Sequence, residues 1–277
     1  MDPESLKAPG PFPPLIPFAF PGLPGVRCLF GTALTGNLSL DTAGDPAQAD
    51  AVRAARRRLF QDCGLSAWAE LRQTHGDVFL LDPEPTDPET LPAREADGQC
   101  TQRAGLGLLI KTADCQPLLL ASAAGTAIAA LHVGWRGNVR NFPAKGVAAF
   151  CRACGISPAE VLAARGPSLG PGAAEFIHFG QEWGPSFLPW FDPERRTMDL
   201  WSLTRSQLTE AGIPPGNIFS LDLCTRSLPG LFFSHRRRDS GRQISLIWRE
   251  EEKDAAGRRA GVAIGEKAPV AAELLRV

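Results

Sequence analysis

Three short stretches carry residue types that could do chemistry. Ile128-Ala-Ala-Leu-His-Val-Gly-Trp-Arg-Gly137 runs an apolar segment into His132, then into a glycine-bracketed Trp135 and Arg136. Gln73-Thr-His-Gly76 places His75 after an amphipathic stretch. Leu108-Leu-Ile-Lys-Thr-Ala-Asp-Cys-Gln-Pro117 ends a second apolar run at Cys115. Two imidazoles and one thiol, each at the end of an expected strand, suggest a metal site formed by His75, Cys115 and His132. Structural zinc sites close with four ligands, so three leave an open position for water or substrate, as in catalytic zinc sites. A second reading needs no metal: Cys115 and His132 form a thiolate–imidazolium pair for acyl transfer or deamidation, with Asp114 orienting the imidazole.

Two further stretches suggest an anionic substrate. Phe232-Phe-Ser-His-Arg-Arg-Arg-Asp-Ser-Gly-Arg242 packs four arginines into a turn. Guanidinium groups grip phosphate bidentately, although a plain surface turn would carry the same charges in solvent. Gly166-Pro-Ser-Leu-Gly-Pro-Gly172 is a rigid loop whose backbone amides could face an anion or simply connect two elements. Glu175, just beyond it, is a candidate proton carrier.

The elements that must position these residues follow from periodicity and caps. A strand is expected at Val26–Phe30. Asp45-Pro46 reads as an N-cap with proline in the first turn of a helix that runs to Cys63 and stops before Gly64. A short strand at Asp77–Leu81 precedes an exposed loop, residues 82–94, with four prolines. Two or three apolar strands lie between Leu106 and Leu131, broken at Ala121–Gly125. A helix at Phe142–Cys154, a strand at Val161–Arg165 and a helix at Leu200–Ala211 capped by Asp199 follow. Ile218–Leu221, Leu231–Ser234 and Gln243–Arg249 read as further strands. Strands and helices mix without strict alternation, which predicts an α/β fold of α+β character: one domain with helices packed on a mixed β-sheet. Residues 1–16 are read as a Pro-rich flexible N-terminus and residues 250–277 as a mobile tail ending in a short helix.

Composition narrows the partners. With 277 residues, 44% apolar, 21% charged and a formal net charge of -1, the chain is ordinary for a globular protein with a sizeable core. It lacks the basic footprint of a nucleic-acid or anionic-membrane binder. Leu15–Phe20 is short and interrupted by Pro17, so it makes neither a signal peptide nor a membrane span. Seven cysteines form no recognisable disulfide framework, which fits a reducing cytoplasm. Cys151 and Cys154 share a helix and read as ordinary thiols.

Seven motifs stand in a recognisable order: Gln-Thr-His-Gly (73–76), Ala-Asp-Gly (96–98), Thr-Ala-Asp-Cys-Gln-Pro (112–117), His-Val-Gly-Trp-Arg-Gly (132–137), Gly-Pro-Ser-Leu-Gly-Pro (166–171), Asp-Leu-Cys-Thr (222–225) and Phe-Phe-Ser-His-Arg-Arg (232–237). With them the chain resembles the laccase-domain, or YfiH-like, family over residues 17–249. The resemblance implies a zinc held by His75, Cys115 and His132, with copper as the alternative metal, in a single mixed α/β domain that is a monomer or homodimer. The implied activity is phosphorolysis of adenosine, inosine, guanosine or methylthioadenosine to base and sugar 1-phosphate, with deamination of adenosine. In that reading Cys115 and His132 belong to the catalytic centre, Arg136, Arg236 and Arg237 bind phosphate, and Glu175 or Asp97 carries protons.

The same resemblance brings rivals. The family has been labelled a multicopper polyphenol oxidase, one bacterial branch edits peptidoglycan precursors as an amide hydrolase, and the fold resembles a cysteine-dependent toxin deamidase. A multicopper oxidase needs a mononuclear and a trinuclear site, and His75, His132, His178 and His235 are all the imidazoles here. One Cys/His₂ site could take a single copper. A noncatalytic regulator with structural zinc, docking through the Pro-rich N-terminus, is the alternative from another class. Two departures from the family pattern bear on substrate choice. Phe30-Gly-Thr-Ala-Leu-Thr-Gly36 lacks the family's arginine, and Gly170-Pro-Gly-Ala-Ala-Glu175 lacks its two cysteines and aromatic.

Overall fold

The apolar runs in the middle of the chain are strands buried on both faces. The computed structural model describes residues 13–251 and 274–276. In chain order, β1 (Leu15–Phe18) and β2 (Val26–Gly31) precede α1 (Pro46–Asp62). Then come β3 (Ala67–Glu70), β4 (Val78–Leu81), β5 (Gly98–Thr101), β6 (Leu106–Thr112), β7 (Gln116–Ser122) and β8 (Ile128–Val133). The second half supplies α2 (Trp135–Val139), α3 (Phe142–Cys154), β9 (Val161–Arg165), α4 (Phe179–Glu182), β10 (Phe191–Asp192), β11 (Thr197–Met198), α5 (Leu200–Glu210), β12 (Ile218–Ser220), β13 (Gln243–Arg249) and β14 (Leu274–Arg276).

The strands form two mixed sheets, in the orders β1-β2-β13-β6-β3 and β12-β9-β7-β8-β5-β4-β14, plus the two-stranded ribbon β10-β11. Alternation along each strand decides which layer a side chain enters. Leu119, Ala121, Ile128 and Ala130 of the larger sheet meet Phe30, Leu108, Ile110 and Ile247 of the smaller one. Leu118, Leu120, Ala129 and Leu131 point the other way, onto Phe142, Val147 and Phe150 of α3 and Leu208 of α5. On the far side, Leu109, Ile244 and Leu246 pack with Leu59 of α1 and Trp68. The result is four layers, with α1 outside one sheet and α3 and α5 outside the other. Helix α3 lies close to its sheet because residue 146 is glycine: a Cβ there would stand 2.2 Å from Leu131 Cδ2. Helix α1 starts as expected, with the Asp45 carboxylate accepting from Gln48 N at 2.9 Å and Pro46 in the first turn.

The differences from expectation have local causes. Two sheets stand where one was expected. Strand β1 begins at Leu15, inside the segment read as flexible, and Pro17 is tolerated because β1 is an edge strand. Strand β5 was not anticipated, and β3 ends at Glu70, short of His75, where a strand end was expected. Leu231–Ser234 is no strand: Leu231 N and Phe232 N both turn back to Leu228 O at 3.2 Å. The Gln243 side chain bonds the N–H and C=O of Phe233, standing in for a partner strand. The glycine-bracketed Trp135 and Arg136 that follow His132 lie in the short helix α2. Leu274–Arg276 is a strand antiparallel to β4, where a short helix was expected. The readings of residues 1–12 and 252–273 lie outside the described residues. Among the described residues, no helix is long and apolar enough to cross a membrane.

Candidate active site

His75 and Cys115 both lie where the chain crosses from one sheet to the other, between β3 and β4 and between β6 and β7. His132 is the penultimate residue of β8, paired with Pro117 of β7, so strand register brings it beside Cys115. The crossings need unusual backbone. His75 has φ 58° and Asp114 φ 89°, a region that residues other than glycine occupy only when their surroundings hold them there.

Two buried carboxylates do the holding. Asp97 accepts from the amides of Thr74 (3.2 Å), His75 (2.9 Å) and Gly76 (2.7 Å) and from the Thr74 hydroxyl at 3.1 Å. It also bonds His132 Nδ1 at 2.8 Å. Asp114 accepts from Thr225 Oγ1 (2.6 Å), Ser234 Oγ (3.0 Å) and Arg236 N (2.7 Å). The imidazole is therefore oriented by Asp97, not by Asp114 as the sequence suggested. Asp97 is completely buried and saturated by these donors, which makes it an anchor behind His132 rather than a proton carrier at the substrate.

The triad residues come together. One donor atom from each of His75, Cys115 and His132 lies within 4.8 Å of the others, and the imidazole rings stand 4.7 Å apart at 76°. Gly134 permits this approach, because a Cβ there would lie 3.1 Å from both Cys115 Sγ and His75 Cδ2. Burial opposes charge on Cys115 and His132, but their mutual attraction prevails. With help from His75, the Cys115 thiol falls to about 6; with help from Asp97, the His132 imidazolium rises to about 9. Burial also works against the Asp97 carboxylate, yet His132, Gly76 and Thr74 hold it below its ordinary value. This donor set fits a zinc-type ion. The thiol is a thiolate at neutral pH, and the bond from Nδ1 to Asp97 leaves Nε2 of His132 for the metal. Among the described residues it is the one such cluster of histidine, cysteine and acidic groups.

The triad opens into a cavity of about 600 Å³. Trp135, Phe176, Leu169 and Leu200 give it an apolar part. Arg136 stacks on Trp135 at 4.3 Å and Arg236 on Phe176 at 5.2 Å. Ser39, Asp41, Thr42, Arg72, Lys111 and Arg242 line a polar part. Asp41, Arg72 and Lys111 were missed in the sequence. Lys111 left a readable signal, as a charge inside an otherwise apolar strand.

Other expected site residues lie elsewhere. Arg237 is not part of the lining. Its guanidinium braces the turn by donating to Thr225 O at 2.5 Å, Arg226 O at 2.7 Å, Phe232 O and Asp239. Glu175 is exposed and off the cavity, and only its backbone carbonyl takes part, accepting from Arg236 at 2.6 Å. The Gly166–Gly172 loop is a connection rather than an anion cradle. Its amides at Gly166, Ser168, Leu169 and Gly170 bond to Pro117 O, Leu223 O, Asp114 O and Cys224 Sγ. His235 lines the cavity, whereas His178 caps α4 away from it.

Comparison with known proteins adds lineage to geometry. Residues 32–250 match the family model described as multi-copper polyphenol oxidoreductase laccase. The chain is 37% identical over 210 residues to a purine nucleoside phosphorylase of Xylella fastidiosa, covering 71% of this chain and 78% of that one. It is 33% identical over 212 residues to purine nucleoside phosphorylase YfiH of Escherichia coli, covering 72% and 81%. The crystal structure of YlmD from Geobacillus stearothermophilus superimposes with a TM-score of 0.76 at 26% identity, over 86% of this chain and 97% of that one.

Proposed function

The chain belongs to the multi-copper polyphenol oxidoreductase laccase family, and we propose that within it this protein is a zinc-dependent purine nucleoside phosphorylase. One observation carries the reading: the His75–Cys115–His132 cluster shares a single cavity with stacked aromatic and guanidinium groups. Relatives named purine nucleoside phosphorylase support it. Trp135 and Phe176 belong to the apolar wall against which a purine would lie. Arg136 and Arg236, each stacked on one of those rings, keep in-plane N–H groups available to an anionic oxygen. Arg236 is held in place through its own amide by Asp114 and through its guanidinium by Glu175 O. This arrangement would bind phosphate next to the base and neutralise it as the glycosidic bond breaks. A zinc ion on the triad would supply Lewis-acid polarisation of an oxygen in the cavity. Deamination of adenosine is the weaker companion activity, because Glu175 and Asp97, the carboxylates expected to move its proton, both lie off the cavity.

The test is turnover of adenosine and inosine by metal-quantified protein, with and without phosphate, resolving base, sugar phosphate and ammonia. Phosphate-dependent release of base and sugar 1-phosphate, lost together with zinc in Cys115→Ala, is the expected result. Full turnover by metal-free Cys115→Ala would overturn the reading. Phosphate-independent hydrolysis of a nucleotide-linked muramoyl amino acid, with no nucleoside turnover, would move the assignment to precursor editing.

A further inference from the structure

A chain of alternating charge runs from α1 to the cavity. Arg56 on α1 and Glu70 on β3 are each 1% exposed and bonded to one another. Glu70 also takes Lys111 Nζ at 2.8 Å, and Lys111, 6% exposed, holds Asp41, which is 44% exposed and lines the cavity. Burying three charges is costly, and apolar residues of similar volume commonly serve stability as well or better. The useful end of the chain is the one that reaches the cavity.

Both members of that terminal pair are fixed. Gln73, two residues before His75, clamps Lys111 by accepting from its N–H at 2.8 Å and donating to its C=O at 2.7 Å. Asp41 sits in a 3-10 turn, Leu40–Thr42, that Asn37 secures. The Asn37 amide oxygen accepts from Ser39 N and Arg242 N, each at 3.0 Å, and its nitrogen donates to Ser39 O at 3.1 Å and Thr42 Oγ1 at 3.2 Å. Arg56 ties in the same segment through Leu38 O at 3.1 Å.

A fixed carboxylate beside a fixed ammonium presents an acceptor and a donor side by side. A vicinal diol matches that pattern, since each hydroxyl can donate to the one and accept from the other. The ion pair is neutral overall and so has no excess charge of its own for an anion, and an apolar group would desolvate both ions without return. We infer that Asp41 and Lys111 form the subsite for the 2′- and 3′-hydroxyls of the substrate's pentose, which makes Asp41 the residue that selects ribonucleosides. This rests on the nucleoside reading above.

Calorimetric binding of inosine and of 2′,3′-dideoxyinosine to zinc-loaded protein in phosphate-free buffer tests it. Wild type binds inosine roughly tenfold or more tighter than the dideoxynucleoside, the order expected for charge-assisted hydrogen bonds. Asp41→Asn brings the two within about threefold by weakening inosine alone, with zinc content unchanged. Equal affinities in wild type, or equal losses for both ligands in Asp41→Asn, overturn the subsite and leave the phosphorylase reading standing. Failure of wild type to bind either nucleoside overturns both.

Discussion

Neighbouring arginines on one turn do different work. Arg236 reaches the cavity, whereas Arg237 spends its guanidinium on three carbonyls and Asp239. Arg236→Ala is expected to raise the phosphate KM about tenfold with little change in melting temperature, since it removes a charge-assisted contact to phosphate. Arg237→Ala is expected to cost about 1–3 kcal/mol of stability by stranding those acceptors, with phosphate KM unchanged. Steady-state kinetics and thermal melts check the pair, and a reversed pattern would exchange the two roles. Sequence spacing marked the arginine turn but not this division, which depends on where each side chain points. The triad was legible because Cys115 and His132 end apolar runs and His75 follows an amphipathic stretch. The supporting carboxylates were not. Asp114 adjoins Cys115 in sequence yet serves the 225–236 segment, and Asp97 reaches His132 across 35 positions. Asp41 lies far from every motif and enters the site only through tertiary contact.

Elements that bury a face were readable, and those that bury polar groups were not. Helices α1, α3 and α5 and strands β6 to β8 announce themselves by periodicity, caps and unbroken apolar runs. Strand β5 is wholly buried but reads Gly-Gln-Cys-Thr. Its Gln99 side chain crosses between layers to donate to Ala69 O at 3.1 Å and Leu109 O at 3.2 Å. That polar staple makes a glutamine fit an interior strand, and no alternation pattern reveals it. Strand β3 likewise buries a polar side chain, Glu70 of the charge chain. The junction of β8 with α2 carries its own test. Gly134→Ala puts a methyl group 3.1 Å from Cys115 Sγ and His75 Cδ2, so one ligand must retreat. Zinc affinity is expected to drop about tenfold or more, a loss typical when ligand orientation is disturbed, while far-UV circular dichroism stays native. Unaltered affinity by chelator competition would mean that the strand end relaxes freely.

The molecule as a whole is two sheets joined at crossings, and the His75–Cys115–His132 cluster sits on them. An ion held by His75, Cys115 and His132 would tie two of those crossings to the end of β8, so removing it should loosen the junction of the layers. At a hundredfold excess over Kd, binding adds about 2.7 kcal/mol, or about 5–10 °C in Tm for a chain of this size. In the metal-free protein the thiolate–imidazolium pair is itself stabilising between its two titrations. Cys115, lowered to about 6, loses its contribution as pH falls through 6, and His132, raised to about 9, loses its own as pH rises through 9. Within that window a metal must displace the His132 proton, so affinity should climb about tenfold per pH unit. The gap in Tm between zinc-loaded and chelated protein should therefore widen from pH 6 to pH 8.5, and a constant gap would contradict a site that includes His132. Strand β13 has a different consequence, one of timing. It lies between β2 and β6 in the smaller sheet, paired antiparallel to both, yet it is made long after either. At about 5–20 residues per second, the ribosome leaves the β2 edge waiting on the order of ten to forty seconds for its neighbour. Open edges invite wrong partners, so the nascent chain passes through a prolonged interval in which mispairing competes with folding, and the junction that carries the cavity cannot close until translation has passed Arg249.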